Sequence, residues 1–173
     1  MATNSTFDVV SAVLSAEPIS VDQAIAAVES DTAGAVVSFS GVVRNHDGGK
    51  PVQRLSYSAH PTAHQVMADV VAQLVAEQAA GTAGAGTDAA GTAPEPGAET
   101  DSTTAQPVRI WVAHRIGMLE IGDPALVCAV SAAHRGQAFA VCSELVDRIK
   151  AQVPIWKEQF FTDGTVEWVG AGA

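Results

Sequence analysis

The spacing of apolar positions along the chain switches several times between a period of two and a period of three to four residues, and each switch predicts a change of element. FDVVSAVL (7–14) is short, apolar and β-branched, which predicts a strand. SVDQAIAAVES follows as a helix, with Ser20 as its N-cap, Gln23 completing a capping box, and Ala24, Ile25 and Val28 on one face. In AGAVVSFSGVVR (33–44) the valines and Phe39 predict a second strand, with Gly41 as a bulge or a point of close backbone approach. NHDGGK reads as a Gly-rich loop. QRLSYSA (53–59) then turns Leu55, Tyr57 and Ala59 to one side, the pattern of a half-buried strand. From Pro61 to about Gln78, Val66, Val70 and Leu74 recur at helical spacing, with the proline in a tolerated first-turn position.

Composition then changes abruptly. Residues 79–107 are Gly, Ala, Thr and Pro with four acidic residues and no Lys, Arg, aromatic or large aliphatic side chain. Such a segment buries too little apolar surface to offset its ordering entropy, which predicts a disordered surface insertion that folding does not require. Order resumes with VRIWVAHR, where Val108, Ile110 and Val112 alternate, then a turn around IGMLEIGDP and the apolar strand ALVCAVSA. Between Ser131 and Pro154, Ala138, Cys142, Leu145 and Ile149 fall at steps of four, three and four, the stripe of a helix packed on a core. Ser131 is the expected N-cap, and Pro154 forces the chain out of helical geometry by Val153. TVEWVG (165–170) is a final strand. Strands and helices mix without a regular βαβ repeat, so the expected class is α+β, in one domain over residues 1–173 interrupted by the insertion.

Hydrophobic residues make up 47% of the chain and charged residues 16%, a globular balance. No apolar stretch reaches the roughly 18–20 residues of a bilayer span, and no basic, apolar and cleavable leader opens the chain, so a soluble, cytoplasmic protein is expected. Cys128 and Cys142 match neither a redox pair nor a zinc site and are expected to be buried thiols. A net charge of −10 argues against general nucleic-acid binding. All nine Lys and Arg lie in three short regions, 44–54, 109–115 and 135–157. Localised cations on an acidic body predict a pocket for a small anion.

The third region is the most informative. His134 and Arg135 sit where a helix begins, where free N–H groups favour an anion, whereas Lys150 is in the last turn and Lys157 just past the proline. Fifteen helical steps of about 1.5 Å separate Arg135 from Lys150 by roughly 22 Å, too far for one small ligand to bridge. For all these cations to serve one site, the His134-Arg135 end of one copy must meet the Lys150-Lys157 end of another. That predicts a homodimer with two equivalent composite pockets. His60 and His64 have the i, i+4 spacing of a helical metal pair, yet HPTAH lacks the Glu of a zincin helix and a third ligand nearby, so no metal is expected.

Four motifs in order, GAVVSFSGVVRNHDGGK, VAHRIGMLEIGD, SAAHRGQAF and IKAQVPIWKEQ, resemble the large, catalytic subunit of molybdopterin synthase, over residues 7–169 apart from the insertion. The resemblance implies an α/β hammerhead-type fold and a dimer of large subunits, each with a small ubiquitin-like sulfur-carrier subunit docked on it. It also implies conversion of cyclic pyranopterin monophosphate to molybdopterin, with sulfur from the carrier's C-terminal thiocarboxylate and no resident cofactor. Carried over residue by residue, it assigns substrate binding to Phe39, Arg44 and the neighbouring subunit's counterparts of His134 and Arg135, and catalysis to Lys150 and Lys157. The alternatives are a pterin- or phosphate-binding paralogue without turnover and a covalent, Schiff-base lysine enzyme.

Overall fold

A computed structural model describes residues 7–84 and 107–170. Its elements, in chain order, are β1 (Phe7–Ser15), α1 (Val21–Val28), β2 (Ala35–Val42), β3 (His46–Asp47), β4 (Lys50–Ala59), α2 (Ala63–Gly84), β5 (Val108–Arg115), β6 (Gly117–Glu120), β7 (Pro124–Ala132), α3 (Arg135–Gln152), β8 (Ile155–Phe161) and β9 (Val166–Val169). They form two sheets. The first runs β1-β5-β7-β2, with β1 parallel to β5 and the other pairings antiparallel. The second runs β3-β4-β8-β9, with β6 also on β4, all antiparallel. This is the expected α+β class.

Period-two alternation in β5 and β7 sends side chains to both faces of the first sheet. Ile110, Val112, Cys128 and Val130 meet Met67 and Leu74 of α2 and Leu145 and Ile149 of α3 in the main core. Trp111, Ala113, Val127 and Ala129 point the other way and are covered by Ile19, Ala24 and Val28 around α1. Helices on both faces explain why β7 reads as an unbroken apolar run. The second sheet has its own small core of Val43, Val52, Leu55, Leu119 and Phe161. No helix among the described residues is long and apolar enough to cross a membrane.

Most local signals hold. Ser20 caps α1, its hydroxyl accepting from the Gln23 N–H at 3.4 Å. The register of β2 on β7 shifts between Gly41 and Val42, but the added residue is Ala125 of β7, so Gly41 is a point of close approach opposite a bulge rather than the bulge itself. Four expectations need correction. Ser131 is not the cap of α3. Pairing of β7 with β2 continues through Ala132, which keeps Ser131 in the sheet, where its buried hydroxyl donates to the Val28 carbonyl at 2.6 Å. His134 is the N-cap instead, without a side-chain capping bond. The expected insertion begins too early, because α2 continues through residues 79–84, a stretch whose alanines favour helix; residues 85–106, and with them the expectation of disorder, lie outside the described residues. IWKEQFF, left without an element, forms β8 by pairing along β4, and His60 precedes α2, so it shares no helix face with His64.

Leu145 is fully buried between α3 and the first sheet. Leu145→Ala is expected to cost about 2–5 kcal/mol through lost transfer energy and the cavity left behind, measured as a lowered urea midpoint with little change in slope.

Candidate active site

Where the two sheets meet, a cleft of about 390 Å³ opens. Each of its walls is set by a local rule of the fold. β2 supplies Phe39 and, where its register on β7 shifts, Gly41. A Cβ on Gly41 would stand 3.3 Å from the Phe39 ring, so the glycine gives that ring its place. Beyond β2, Arg44 leads into the β3–β4 hairpin, whose two-residue turn, Gly48-Gly49, takes positive φ at both positions. That turn brings Asp47 back over the cleft. From β4 comes Tyr57, in register with Lys157 of β8 on one side and Gly117 of β6 on the other. Lys150, in the last turn of α3, and His114, near the end of β5, complete the lining with the buried Gln159.

Charge in the cleft is unevenly matched. Lys157 Nζ donates to Asp47 Oδ2 at 3.1 Å, and Arg44 stands 3.5 Å from Oδ1. The hydrogen bond from Lys157 is the main reason the Asp47 carboxyl is held below its usual range; partial burial opposes it, and the Lys157 charge, a Gln159 hydrogen bond and the Arg44 charge reinforce it. Lys150 has no anionic partner among the described residues. Three cations therefore line the cleft, two of them on the Asp47 carboxylate, and an incoming anion would meet an excess of positive charge. The uncharged groups lie deeper. Burial raises the Tyr57 phenol above its ordinary value, with the Asp47 charge adding to it. Burial likewise lowers the His114 imidazole; a bond to the Arg115 carbonyl opposes this and the Lys150 charge adds to it.

Phe39, Arg44, Lys150 and Lys157, expected to act together, do line one cleft. His134 and Arg135 do not: both are exposed at the opposite end of α3. Arg135, like Lys150, has no anionic partner among the described residues. Sequence reasoning missed Asp47, Tyr57, His114 and Gln159 as cleft residues. Asp47 and His114 stand inside the recognised motifs, whereas Tyr57 was read only as part of the inward side of a half-buried strand and Gln159 gave no signal because β8 was not foreseen. No group of three or more His, Cys, Asp or Glu among the described residues is disposed to hold a metal ion.

The sequence and fold have known counterparts. A family model described as MoaE protein matches residues 14–152. Molybdopterin synthase catalytic subunit 1 of Mycobacterium tuberculosis is 36% identical over 91% of this chain and 88% of its own. The crystal structure of molybdopterin synthase from Staphylococcus aureus superimposes with a TM-score of 0.66 at 29% identity, covering 95% of this chain and 97% of that one. A complex of subunits 1 and 2 of molybdopterin-converting factor from Helicobacter pylori shares the fold, with a TM-score of 0.54 at 16% identity over 96% and 90% of the two chains. With both the family model and a curated relative aligned along most of its length, this chain belongs to the MoaE family, the molybdopterin synthase catalytic subunits.

Proposed function

We propose that the chain acts as a homodimeric sulfurtransferase. It converts cyclic pyranopterin monophosphate to molybdopterin with sulfur from the thiocarboxylated C-terminus of a small ubiquitin-like carrier. The observation that carries this reading is the cleft in which Lys150, without an anionic partner, stands with Lys157, Arg44 and Phe39, while the other unmatched cation of α3, Arg135, lies at the far end of the helix. Both reactants are anions, which the excess of positive charge suits. Arg44, with the partner copy's counterparts of His134 and Arg135, holds the phosphate by charge-assisted hydrogen bonds. Lys150 acts on the reacting carbons and the acyl group, as acid/base or by stabilising the oxyanion of the tetrahedral intermediate, and Lys157 assists once substrate draws it from Asp47.

Several features support the assembly. β2 is the edge strand of the first sheet, and a groove of about 350 Å³ runs between it and α3, lined by Val37, Phe39, Cys142 and Val146, with Phe139 61% exposed beside it. A second copy laid antiparallel on this face covers the apolar side chains and brings its Arg135 end to the Lys150 end of the first. The Helicobacter structure, a complex of two subunits of the converting factor, supports a carrier partner. Two free, buried cysteines fit a reducing compartment, the cytoplasm.

Lys150→Ala is expected to lower molybdopterin formation by at least about 10²-fold in a reconstitution with precursor and thiocarboxylated carrier. Near wild-type turnover would exclude its catalytic role. Mixing Lys150→Ala with Arg135→Ala chains tests the composite site. Each mixed dimer has one doubly altered and one intact pocket, so random reassortment should restore about a quarter of wild-type activity; no recovery from two inactive parents that demonstrably exchange would refute sharing. Asp47 predicts a pH effect. Its folded pKa lies below the ordinary 3.8, so its stabilising contribution is complete above that value and is lost as pH falls through the depressed folded one. Asp47→Asn should therefore flatten the acid limb of thermal unfolding midpoints and leave their slope near neutrality unchanged.

A further inference from the structure

We infer that His114 is a catalytic base of the cleft, its Nε2 taking the proton from the water that splits the acyl–sulfur bond, an inference that rests on the sulfur-transfer reading above. The tautomer follows from hydrogen bonding. His114 Nδ1 lies 2.8 Å from the Arg115 carbonyl oxygen, which can only accept, so Nδ1 carries the hydrogen and Nε2 keeps its lone pair. Nε2 has no hydrogen-bond partner among the described residues. The only sealed side-chain nitrogen or oxygen without a partner among them is Arg115 Nε, so His114 Nε2 is open, and the space its side chain lines is the cleft.

The ring is held in place. Its register neighbours in the sheet are Leu14 and Leu126, and Tyr57 meets it edge-on, with ring centroids 5.0 Å apart at 77°. The groups that bear on its charge are the Arg115 carbonyl on its own strand and Lys150 from α3, while Tyr57 from β4 faces it with its ring. Burial first, and the Lys150 charge after it, lower its pKa below 6.5 despite the Arg115 carbonyl, so the ring is neutral at neutral pH. The other cleft groups are ill suited to take a proton. Arg44 can only donate, Lys157 and Asp47 are occupied by each other, His46 is exposed, and Lys150 is already engaged at the reacting carbons and acyl oxygen in the reading above.

Sulfur delivery needs such a base. When the thiocarboxylate sulfur has bonded to a pterin carbon, the carrier's acyl group is still attached to that sulfur. Water then forms a C–O bond to the acyl carbon while one of its protons passes to His114 Nε2. The C–S bond breaks with its electron pair left on sulfur, and the carrier departs as a carboxylic acid that ionises to solvent.

The test is a single-turnover reaction of wild type and His114→Gln with thiocarboxylated carrier and cyclic pyranopterin monophosphate, followed by mass spectrometry. In the variant the carrier–pterin adduct should form and persist, its breakdown slowed about 10²-fold with adduct formation little changed. Wild-type breakdown should fall as pH drops through the lowered histidine pKa, the variant should lack that limb, and added imidazole should partly restore His114→Ala. Equal slowing of both steps, an unchanged breakdown rate or an unchanged pH limb would each overturn the inference. Nitrogen NMR of the wild type needs no variant to fold: a neutral ring with hydrogen on Nδ1 at neutral pH supports it, and a protonated ring or the other tautomer overturns it. A wild-type chain that forms neither adduct nor molybdopterin removes the parent reading and this one with it, whereas normal wild-type turnover matched by His114→Gln removes this one alone.

Discussion

A straight helix of 18 residues is about 27 Å long, and α3 uses that length to keep two unmatched cations apart. Its buried stripe, Ala138, Val141, Cys142, Leu145, Val146 and Ile149, fixes it along β7 and β2, so its ends cannot approach each other without tearing the main core. Pro154 then ends the helix and turns the chain directly into β8, where pairing with β4 sets Lys157 beside Tyr57. Three of the cationic positions that matter are thus placed by one rod and one turn. A single copy gathers only the Lys150 side of them, and this is the physical ground for the proposal of a shared pocket.

Within the cleft, depth sorts the groups by charge. The Arg44 side chain is 64% exposed at the rim, where water screens it cheaply. Asp47 reduces the repulsion between Arg44 and Lys157 when no anion is bound, at the cost of becoming a competitor for any anion that arrives. Deeper down, Tyr57 and His114 stay neutral because burial disfavours their charged forms. The result is a cationic mouth over a floor of uncharged donors and acceptors.

Much of this was legible from spacing alone. The stripe of α3, the alternation in β5 and the Ser20 cap are each fixed by neighbours a few residues away, and each appeared as read. Ser131 was misread because a serine ahead of a helix and a serine at the end of a buried strand look alike locally, and pairing with Val36 decides between them. β8 went unseen because its partner, β4, is about a hundred residues away in the chain and IWKEQFF has no clean alternation of its own. The site followed the same division. Arg44, Lys150 and Lys157 were found through their motifs, but Asp47 and His114 acquire meaning only from cross-strand neighbours that no short window contains.

The Gly48-Gly49 turn shows what this costs in evolutionary freedom. Exposed hairpin tips ordinarily accept extra residues, since a longer loop adds little closure entropy. Here Asp47 and Lys50 face each other across the tip, and an added residue taken up by the strands rather than the tip would shift the pairing and carry the carboxylate to the opposite side of the ribbon. Lys157 and Arg44 would then confront one another unshielded. Variation in this family member should therefore accumulate in the identity of the neighbouring side chains, while the length of that tip stays frozen.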